Sequence, residues 1–560
     1  MRQRSLVFAA ATRANRRSRD GEPRVSRGIS SLLSAASFLF VPCAAVPGAA
    51  RAAADASRPN VLLILADDLG FSDLGAYGGE IRTPNLDRLA AEGARHTQFY
   101  NAAVCWNTRS CLLSGLFPRP GGRGRLAPNM NTLGEVMKQA GYFTALVGKW
   151  HVDGGQTNHP KLRGFEEFYG FLGGGLHYFR PSRRTWDAPD KVTFGPNGSQ
   201  RKLADFPPGY YLTDDLSARA AAMIRQAAQS QRPFFVHLCY TAPHTPLHAP
   251  PEDIARYRGR YREGYERLRE RRFQRQLELG LFDARNTTLS QRDPRTKAFK
   301  HDYYAQPWDE LTPAQRRREE EKMEVYAAMV DRLDQGVGRV LAALEETGQA
   351  GNTLVLFMSD NGGAPEPTNL LIEEVADRGP PIGPGESNEK LGAGFGWALN
   401  SPFRRYKAWI YEGGICTPMI ARWPGVVRPG TLVTELSHVV DLMPTLIELA
   451  GGNYPATRQG IPVPPMEGRS FLPVLRGRPA PPRPEPLFWE FWGGRVLRDV
   501  SWKLVWGPGE QRWTLYDLAT DRTETKDLAA RHPERVQKMV AQWEAKARVI
   551  APKGFEIAPP

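Results

Sequence analysis

The chain of 560 residues is poor in cysteine. Its five, Cys43, Cys105, Cys111, Cys239 and Cys416, stand singly and far apart. That number and spacing exclude a disulfide scaffold and a paired-cysteine zinc site. Beyond residue 50 no apolar run reaches the ~20 residues that cross a bilayer, so no stable membrane insertion is expected of the mature chain. No internal repeat is present. A basic patch of the kind that binds nucleic acid is also missing: the net charge is +14, but residues 1–58 hold ten arginines against three acids and so carry half of it. The rest is spread thinly, and the arginine-rich stretch from Arg256 to Arg275 lies among glutamates, which reads as a solvated helical face.

What the chain does have is enough length for two or more cores and a globular composition, 41% apolar and 24% charged. Its first residues are arginine-rich, Ile29 to about Ala50 carries no charge, and small residues follow at Gly48–Ala50 and Ala52–Ala54. This is the pattern of an export signal, with serines and prolines that argue against a retained anchor. A periplasmic or secreted protein is expected.

Four short apolar runs stop abruptly at polar residues. VLLILA meets Asp67 and Asp68, FTALV meets Gly148, Lys149 and His151, FFVHLCY leads to His244, and LVLFM leads to Asp360 and Asn361. Such runs read as buried strands of a parallel sheet. Ligands of open α/β sheets bind beyond the carboxyl ends of those strands. Helical patterns alternate with them: Thr83 and Pro84 offer N-cap and N1 chemistry, Thr132 and Glu135 a capping box, and periodic runs follow at 213–224 and 329–344. The expected fold is α/β, a large mainly parallel or mixed sheet flanked by helices, with a smaller C-terminal α+β domain on an antiparallel sheet. The expected boundaries are a leader at 1–57, a catalytic domain at 58–470 with a helical insertion at about 250–330, a Pro-rich linker at 471–486, and the small domain at 487–560. Short aromatic and β-branched runs at hairpin spacing, then a helix near 533–547, mark that last part.

Asp67, Asp68, Asp360 and Asn361 offer only hard oxygen donors, a set that suits calcium or magnesium rather than zinc. Either pair alone could simply cap a turn; two pairs at two strand ends point to a metal. In NAAVCWNTRSC, a helix starting near Cys105 puts that cysteine at an electropositive N-terminus, with Arg109 four residues on along the same face. Lys149 and His151 flank Trp150 and would share one side of an extended segment. His244 in TAPH and Lys407 in SPFRRYK complete the candidates.

These segments, with TPNLDRLAAEG, LLSG, GKWH, TAPHTPLHAP, SDNGG, YKAWIYEGGICTP and LYDL, resemble the type I sulfatases in order from about Arg58 onward, most closely the bacterial arylsulfatases of the alkaline phosphatase superfamily. The resemblance implies a sulfuric ester hydrolase in which Cys105 is oxidised to formylglycine by a formylglycine-generating enzyme. It implies one calcium held by Asp67, Asp68, Asp360, Asn361 and the modified residue 105. Arg109 would steady the hydrated aldehyde, Lys149, His244 and Lys407 would hold the sulfate, and His151 would release it from a covalent sulfo-enzyme. The substrate would be an aryl, alkyl or carbohydrate sulfate, read by loops at Tyr178–Trp186, the insertion and aromatic residues of the small domain. Asn107 departs from the family pattern, which has Pro or Ala there. A phosphomonoester or phosphonate hydrolase on the same fold is the alternative enzyme, and a silent calcium-dependent binding protein the alternative if Cys105 stays a thiol.

Overall fold

The computed structural model describes residues 58–119, 124–152, 158–179, 192–197, 199–201, 205–293, 302–366, 381–510 and 512–551. The leader and most of the Tyr178–Trp186 loop lie outside the described residues.

Nine strands form the main sheet: β1 Asn60–Asp67, β2 Ala94–His96, β3 Phe143–Lys149, β4 Glu167–Phe171, β5 Gly195–Pro196, β6 Phe234–Pro243, β7 Thr353–Ser359, β8 Met419–Arg422 and β9 Thr431–Val433. Their order is β9-β2-β8-β7-β1-β6-β3-β4-β5. The four apolar runs of the sequence are β7, β1, β6 and β3, side by side and parallel. Each is buried along its whole length, which is why their sequences run apolar instead of alternating. Antiparallel pairings of β8 with β7 and β2, and of β5 with β4, make the sheet mixed.

The principal helices are α1 Pro84–Ala91, α2 Cys105–Ser114, α3 Leu133–Gln139, α4 Leu212–Gln229, α5 Gly264–Glu278, α6 Pro313–Glu346, α7 Leu442–Ala450 and α8 Pro533–Ile550. Helices α4 and α6 pack on each other and on β6, while α2, α3 and α7 pack among themselves. Thr132 and Glu135 form the expected capping box at α3. At α1 the cap differs from expectation: the Thr83 hydroxyl bonds Asp87 instead, and the Asp334 carboxylate of α6 accepts from the backbone N–H of Asn85 and Leu86. No described helix is long and apolar enough to cross a membrane.

The reading of Arg256–Arg275 as a solvated face is corrected in part. Arg267, Arg271 and Arg275 do face solvent, paired with Glu270, Glu263 and Glu278. Arg269 and Arg272 are fully buried. Arg272 joins Asp73 and Glu80, and Arg269 donates to the carbonyls of Trp397, Ser290, Pro402 and Phe403 while lying 3.8 Å over the Trp397 ring. A planar guanidinium with five donors can collect loop carbonyls that no apolar residue could satisfy.

At the C-terminal end, β10 Leu487–Phe491, β11 Gly494–Asp499, β12 Trp502–Trp506 and β13 Thr514–Asp517 form a four-stranded antiparallel meander, with α8 against β11 and β12. Trp543 of α8 donates to the Trp489 carbonyl at 3.0 Å, and the Trp489 indole donates to the Asn101 carbonyl at 2.7 Å. The meander is thus tied to the segment that leads into Cys105.

Candidate active site

Because β7, β1, β6 and β3 are neighbours, their carboxyl ends bring Asp360 with Asn361, Asp67 with Asp68, His244, and Lys149 with His151 to one place. Local backbone decides how they face it. Successive residues of a strand point to opposite sides, but Asp68 leaves β1 in the left-handed region, φ 68°, and both aspartates turn to the site. Likewise β3 ends at Lys149, and His151 adopts φ 53°, so a turn rather than strand alternation carries its ring to the cavity. Two non-glycine residues strained in this way at one spot mark a place where the fold over-determines the backbone. The Lys407 loop is stapled on from the other side by Lys407 N–H to the Gly363 carbonyl (3.2 Å) and Ala408 N–H to the Ala103 carbonyl (2.9 Å).

Cys105 is the first residue of α2, after an N-cap, Val104, whose side chain caps nothing. The helix's first N–H groups and its dipole therefore remain open to an anion. Burial pushes the Cys105 thiol up to about 11, against the pull of Lys149 and Lys407. Arg109, one turn on, is buried; its Nη2 and Nε donate to Asp360 Oδ2 at 2.8 and 3.1 Å and its Nη1 to the Lys149 carbonyl at 2.9 Å.

The remaining cations also face carboxylates. Lys149 Nζ bonds Asp67 Oδ2, and Lys407 Nζ lies 2.8 and 2.9 Å from the two Asp68 oxygens. Asn361 Nδ2 donates to Asp68 Oδ1 at 2.7 Å. Burial raises the Asp360 carboxyl to about 7, Asp67 adding to it and Arg109 opposing. Asp68 is held below the ordinary range: burial opposes this, but Lys407 and His244 outweigh it. Amid this pairing two buried oxygens, Asp67 Oδ1 and Asn361 Oδ1, have no hydrogen-bond partner. Unpartnered buried acceptors on a carboxylate and an amide are what an oxygen-liganded cation would satisfy, so the residues fit a hard divalent ion. Asp67, Asp68 and His244 also place ligand atoms within 4.8 Å of one another. His244 is the weaker third donor of that group. Its Nδ1 donates to the Thr245 carbonyl at 2.6 Å and its Nε2 stands 3.8 Å from Asp68, whereas the unpartnered atoms are oxygens.

A cavity of about 350 Å³ opens over this floor, lined by Cys105, His151, His244 and Lys407 on the reactive side. Burial pushes His244 down to about 4, opposed by Asp68, and His151 down to about 2, helped by Lys149 and Arg109. Both rings are neutral at neutral pH, and a bound anion would favour their charged forms. Every candidate named from the sequence lies here: Asp67, Asp68, Cys105, Arg109, Lys149, His151, His244, Asp360, Asn361 and Lys407. Trp106, Tyr303, Glu366 and Trp492 also line the cavity. Tyr303 lies in the insertion and Trp492 among the small-domain aromatic residues expected to read the substrate, while Trp106 and Glu366 were not singled out from the sequence.

The chain matches the Sulfatase family model over residues 59–452 and the model for the C-terminal part of N-sulphoglucosamine sulphohydrolase over residues 404–549. It is 35% identical over 548 residues to an uncharacterized sulfatase of Schizosaccharomyces pombe, covering 90% of this chain and 96% of that one. It is 32% identical over 445 residues to an arylsulfatase of Klebsiella aerogenes, covering 75% and 93%. Among solved structures, Ps i-CgsB in complex with a neocarrahexaose superposes with a TM-score of 0.62 at 25% identity, over 88% of this chain and 93% of that one. The helix-flanked sheet, the strand-end residues and these likenesses agree: the chain belongs to the type I sulfatase family and is a sulfatase, a hydrolase of sulfate esters.

Proposed function

We propose that the chain cleaves sulfate monoesters with a formylglycine made from Cys105, and that calcium is the ion held by Asp67, Asp68, Asp360, Asn361 and the modified residue 105. The observation that carries this is the convergence of Cys105, three buried cations and two neutral histidines on a cavity whose floor holds two unpartnered oxygens. The chemistry favours modification. A thiol can accept a sulfuryl group but has no second ionisable proton with which to expel it, whereas a hydrated aldehyde has one.

The cation would supply charge against the sulfuryl oxygens and acidify the nucleophile. With Asp67 and Asp68 given to it, Lys149 and Lys407 are left to meet the sulfate, and Arg109 steadies the hydrated aldehyde beside Asp360. One oxygen of that group attacks sulfur with Asp360 as base; the S–O bond to the leaving alcohol breaks and His244, its charged form favoured by the bound sulfate, gives the alcohol its Nε2 proton, with Lys407 beside it. His151 then takes the remaining hydroxyl proton, sulfate departs and the aldehyde returns. The substrate is a sulfated small molecule or glycan. Export to the periplasm or medium, maturation by a formylglycine-generating enzyme, and a catalytic part at 58–470 joined by a linker at 471–486 to a small domain at 487–560 belong to the same proposal.

The test is sulfate release from an aryl sulfate with and without a chelator, alongside mass spectrometry of the tryptic peptide His96–Arg109. Formylglycine at residue 105 in proportion to turnover is expected; only cysteine in a fully active sample would overturn the mechanism, and only cysteine in an inactive one favours a silent binding protein. His151→Ala should accumulate sulfated residue 105, and His244→Ala should lose most on poor leaving groups. Equal losses with no trapped intermediate would refute that division of roles. Asn107 is the third residue of α2, where the backbone N–H has no partner within the helix. Asn107→Pro therefore removes no hydrogen bond of the helix, and it should raise the modified fraction without changing activity per modified molecule.

A further inference from the structure

Three successive glycines, Gly173, Gly174 and Gly175, follow β4. The strap they form is pinned at each end. Where it begins, the backbone N–H of Trp150 donates to the Phe171 carbonyl at 3.0 Å and that of His151 to the Leu172 carbonyl at 3.2 Å. Where it ends, the Tyr178 hydroxyl donates to the His244 carbonyl at 2.7 Å and Leu212 N–H to the Tyr178 carbonyl at 2.6 Å. The bonds that hold the strap therefore also hold the backbones of His151 and His244.

None of the three glycines has a φ in the left-handed region, so backbone conformation is not what requires them. Space is. A Cβ on Gly174 would lie 2.7 Å from His151 Nε2 and 2.8 Å from its Cε1, well inside the ~3.5–4.0 Å of ordinary contact. On Gly175 it would lie 3.5 Å from the His244 ring, an ordinary contact, and on Gly173 it meets no atom of the described residues within 4 Å. Of the three, the middle position alone is closed to a side chain, and it lines the cavity. Trp106 meets His151 as well, edge-on with ring centroids 5.7 Å apart. No hydrogen bond orients the ring through Nδ1, which is buried without a partner. With Nδ1 enclosed, Nε2 is the nitrogen left to reach the cavity, and it is the His151 atom nearest to the Gly174 Cβ position.

We infer that Gly174 is a positioning residue for the second half of the reaction: its missing side chain leaves the place that His151 Nε2 occupies when it takes the proton. The inference rests on the role proposed for His151. In that step the proton of the remaining hydroxyl on residue 105 passes to Nε2. The O–H electron pair becomes the second C–O bond of the aldehyde, and the C–O bond to sulfate breaks, sulfate leaving with its pair. A methyl group at position 174 covers Nε2 or turns the ring aside, and a displacement of about 1 Å costs about a hundredfold in a step of this kind. Transfer of the sulfuryl group to residue 105, which uses Asp360 and His244, does not pass through this contact.

The test is Gly174→Ala in matured protein, with 4-nitrophenyl sulfate as substrate. Its kcat should fall by about tenfold to a hundredfold and its KM by a similar factor, leaving kcat/KM within about threefold of wild type. Nitrophenol should appear in a burst of about one equivalent per modified molecule, and mass spectrometry should find residue 105 sulfated. Gly173→Ala should stay within about twofold of wild type, there being room for its methyl. In a His151→Ala background Gly174→Ala should cost nothing further, because the clash is gone. If Gly174→Ala alone is too unstable to assay, the double variant should regain the melting temperature of His151→Ala; failure to regain it overturns the inference. A fall in kcat/KM with no sulfated residue 105 also overturns it, since that is a structural role only. Equal losses in Gly173→Ala do the same, pointing to the strap's flexibility rather than to space at Gly174. Wild-type kinetics in Gly174→Ala, with His151→Ala trapping the sulfated residue, overturns the positioning role and leaves the reaction standing. If His151→Ala traps nothing, the role of His151 falls and this inference falls with it.

Discussion

Two of the buried clusters of opposite charges among the described residues are built from the same residue types and put to different ends. One is the floor of the cavity, where Asp67, Asp68 and Asp360 face Lys149, Lys407 and Arg109. The other ties the C-terminal sheet to the main body. There Lys503 of β12 sits 2.8 Å from Glu412 and 2.7 Å from Glu524, Arg522 pairs with Glu412, and the Tyr100 hydroxyl donates to Glu412 Oε2 at 2.5 Å. In this second cluster Glu524 Oε2 accepts from Glu412 N–H at 2.8 Å and both Glu412 oxygens have donors, while Glu524 Oε1 lies 2.7 Å from Lys503 Nζ as an ion pair without an aligned hydrogen bond. Although burial opposes it, Lys503 and Arg522 hold the Glu412 carboxyl well below the ordinary range. The first cluster leaves two oxygens unpartnered and lifts Asp360 to about 7. Charge balance alone therefore does not mark a functional site. A cluster whose carboxylate oxygens each lie against a cation or a donor is a brace; one with unpartnered acceptors under a cavity is a place for a ligand.

The sharpest way to break this contrast is to remove one carboxylate from the open cluster. Asp360→Ala should lower kcat/KM for an aryl sulfate by about three orders of magnitude or more, measured on protein whose circular dichroism shows it folded. Near-normal turnover would remove Asp360 from the chemistry.

The matching change in the closed cluster should strike stability. Lys503→Met leaves Glu412 and Glu524 buried against each other and should cost about 3–5 kcal/mol, read from chemical denaturation, with turnover per folded molecule within about threefold of wild type. A variant of normal stability and lost activity would reverse the roles given to the two clusters.

A smaller effect separates the clusters by ligand. Calcium at about a hundred times its Kd should stabilise the wild type by about 2.7 kcal/mol. Asp67→Asn should lose that gain, and Lys503→Met should keep it. Equal gains in all three, followed by melting temperature against calcium concentration, would place the ion elsewhere.

The smallest effect concerns a buried polar group outside both clusters. His96, the last residue of β2, is fully buried with neither ring nitrogen hydrogen-bonded, and burial pushes it down to about 3 from an ordinary 6.5. A lowered histidine must stay neutral in the fold. Its contribution to stability is complete above about pH 6.5 and is lost as the pH falls toward 3. His96→Leu should flatten the acid side of the melting-temperature profile and add about 1 kcal/mol at neutral pH. An unchanged acid limb would show that His96 has a partner in solution.

Much of this architecture could be read from local pattern. The four apolar runs, the helix start at Cys105 and the Thr132–Glu135 capping box are set by neighbours within a few residues, where period, propensity and cap chemistry act. The residues at the run ends named the site because a parallel sheet exposes its carboxyl ends together. Arg269 and Arg272 misled for the same local reason: among glutamates on a helix, a buried arginine and a solvated one look alike until the distant carbonyls and carboxylates that claim it are in place.

By itself, then, the sequence determined the α/β class, the positions of the reactive side chains along the strands and the family to which they belong. Only the tertiary structure decided which cation faces which carboxylate, which oxygens are left over, and that Trp492 and Glu366 join Cys105 at one cavity. Lys407 meets Asp68 across 339 positions of chain, and Trp489 meets Asn101 across 388. Contacts of that span leave no periodic trace in the residues between them; they exist because burying the apolar strands and helices brings those ends together, and the charges then settle with whatever partners that burial provides.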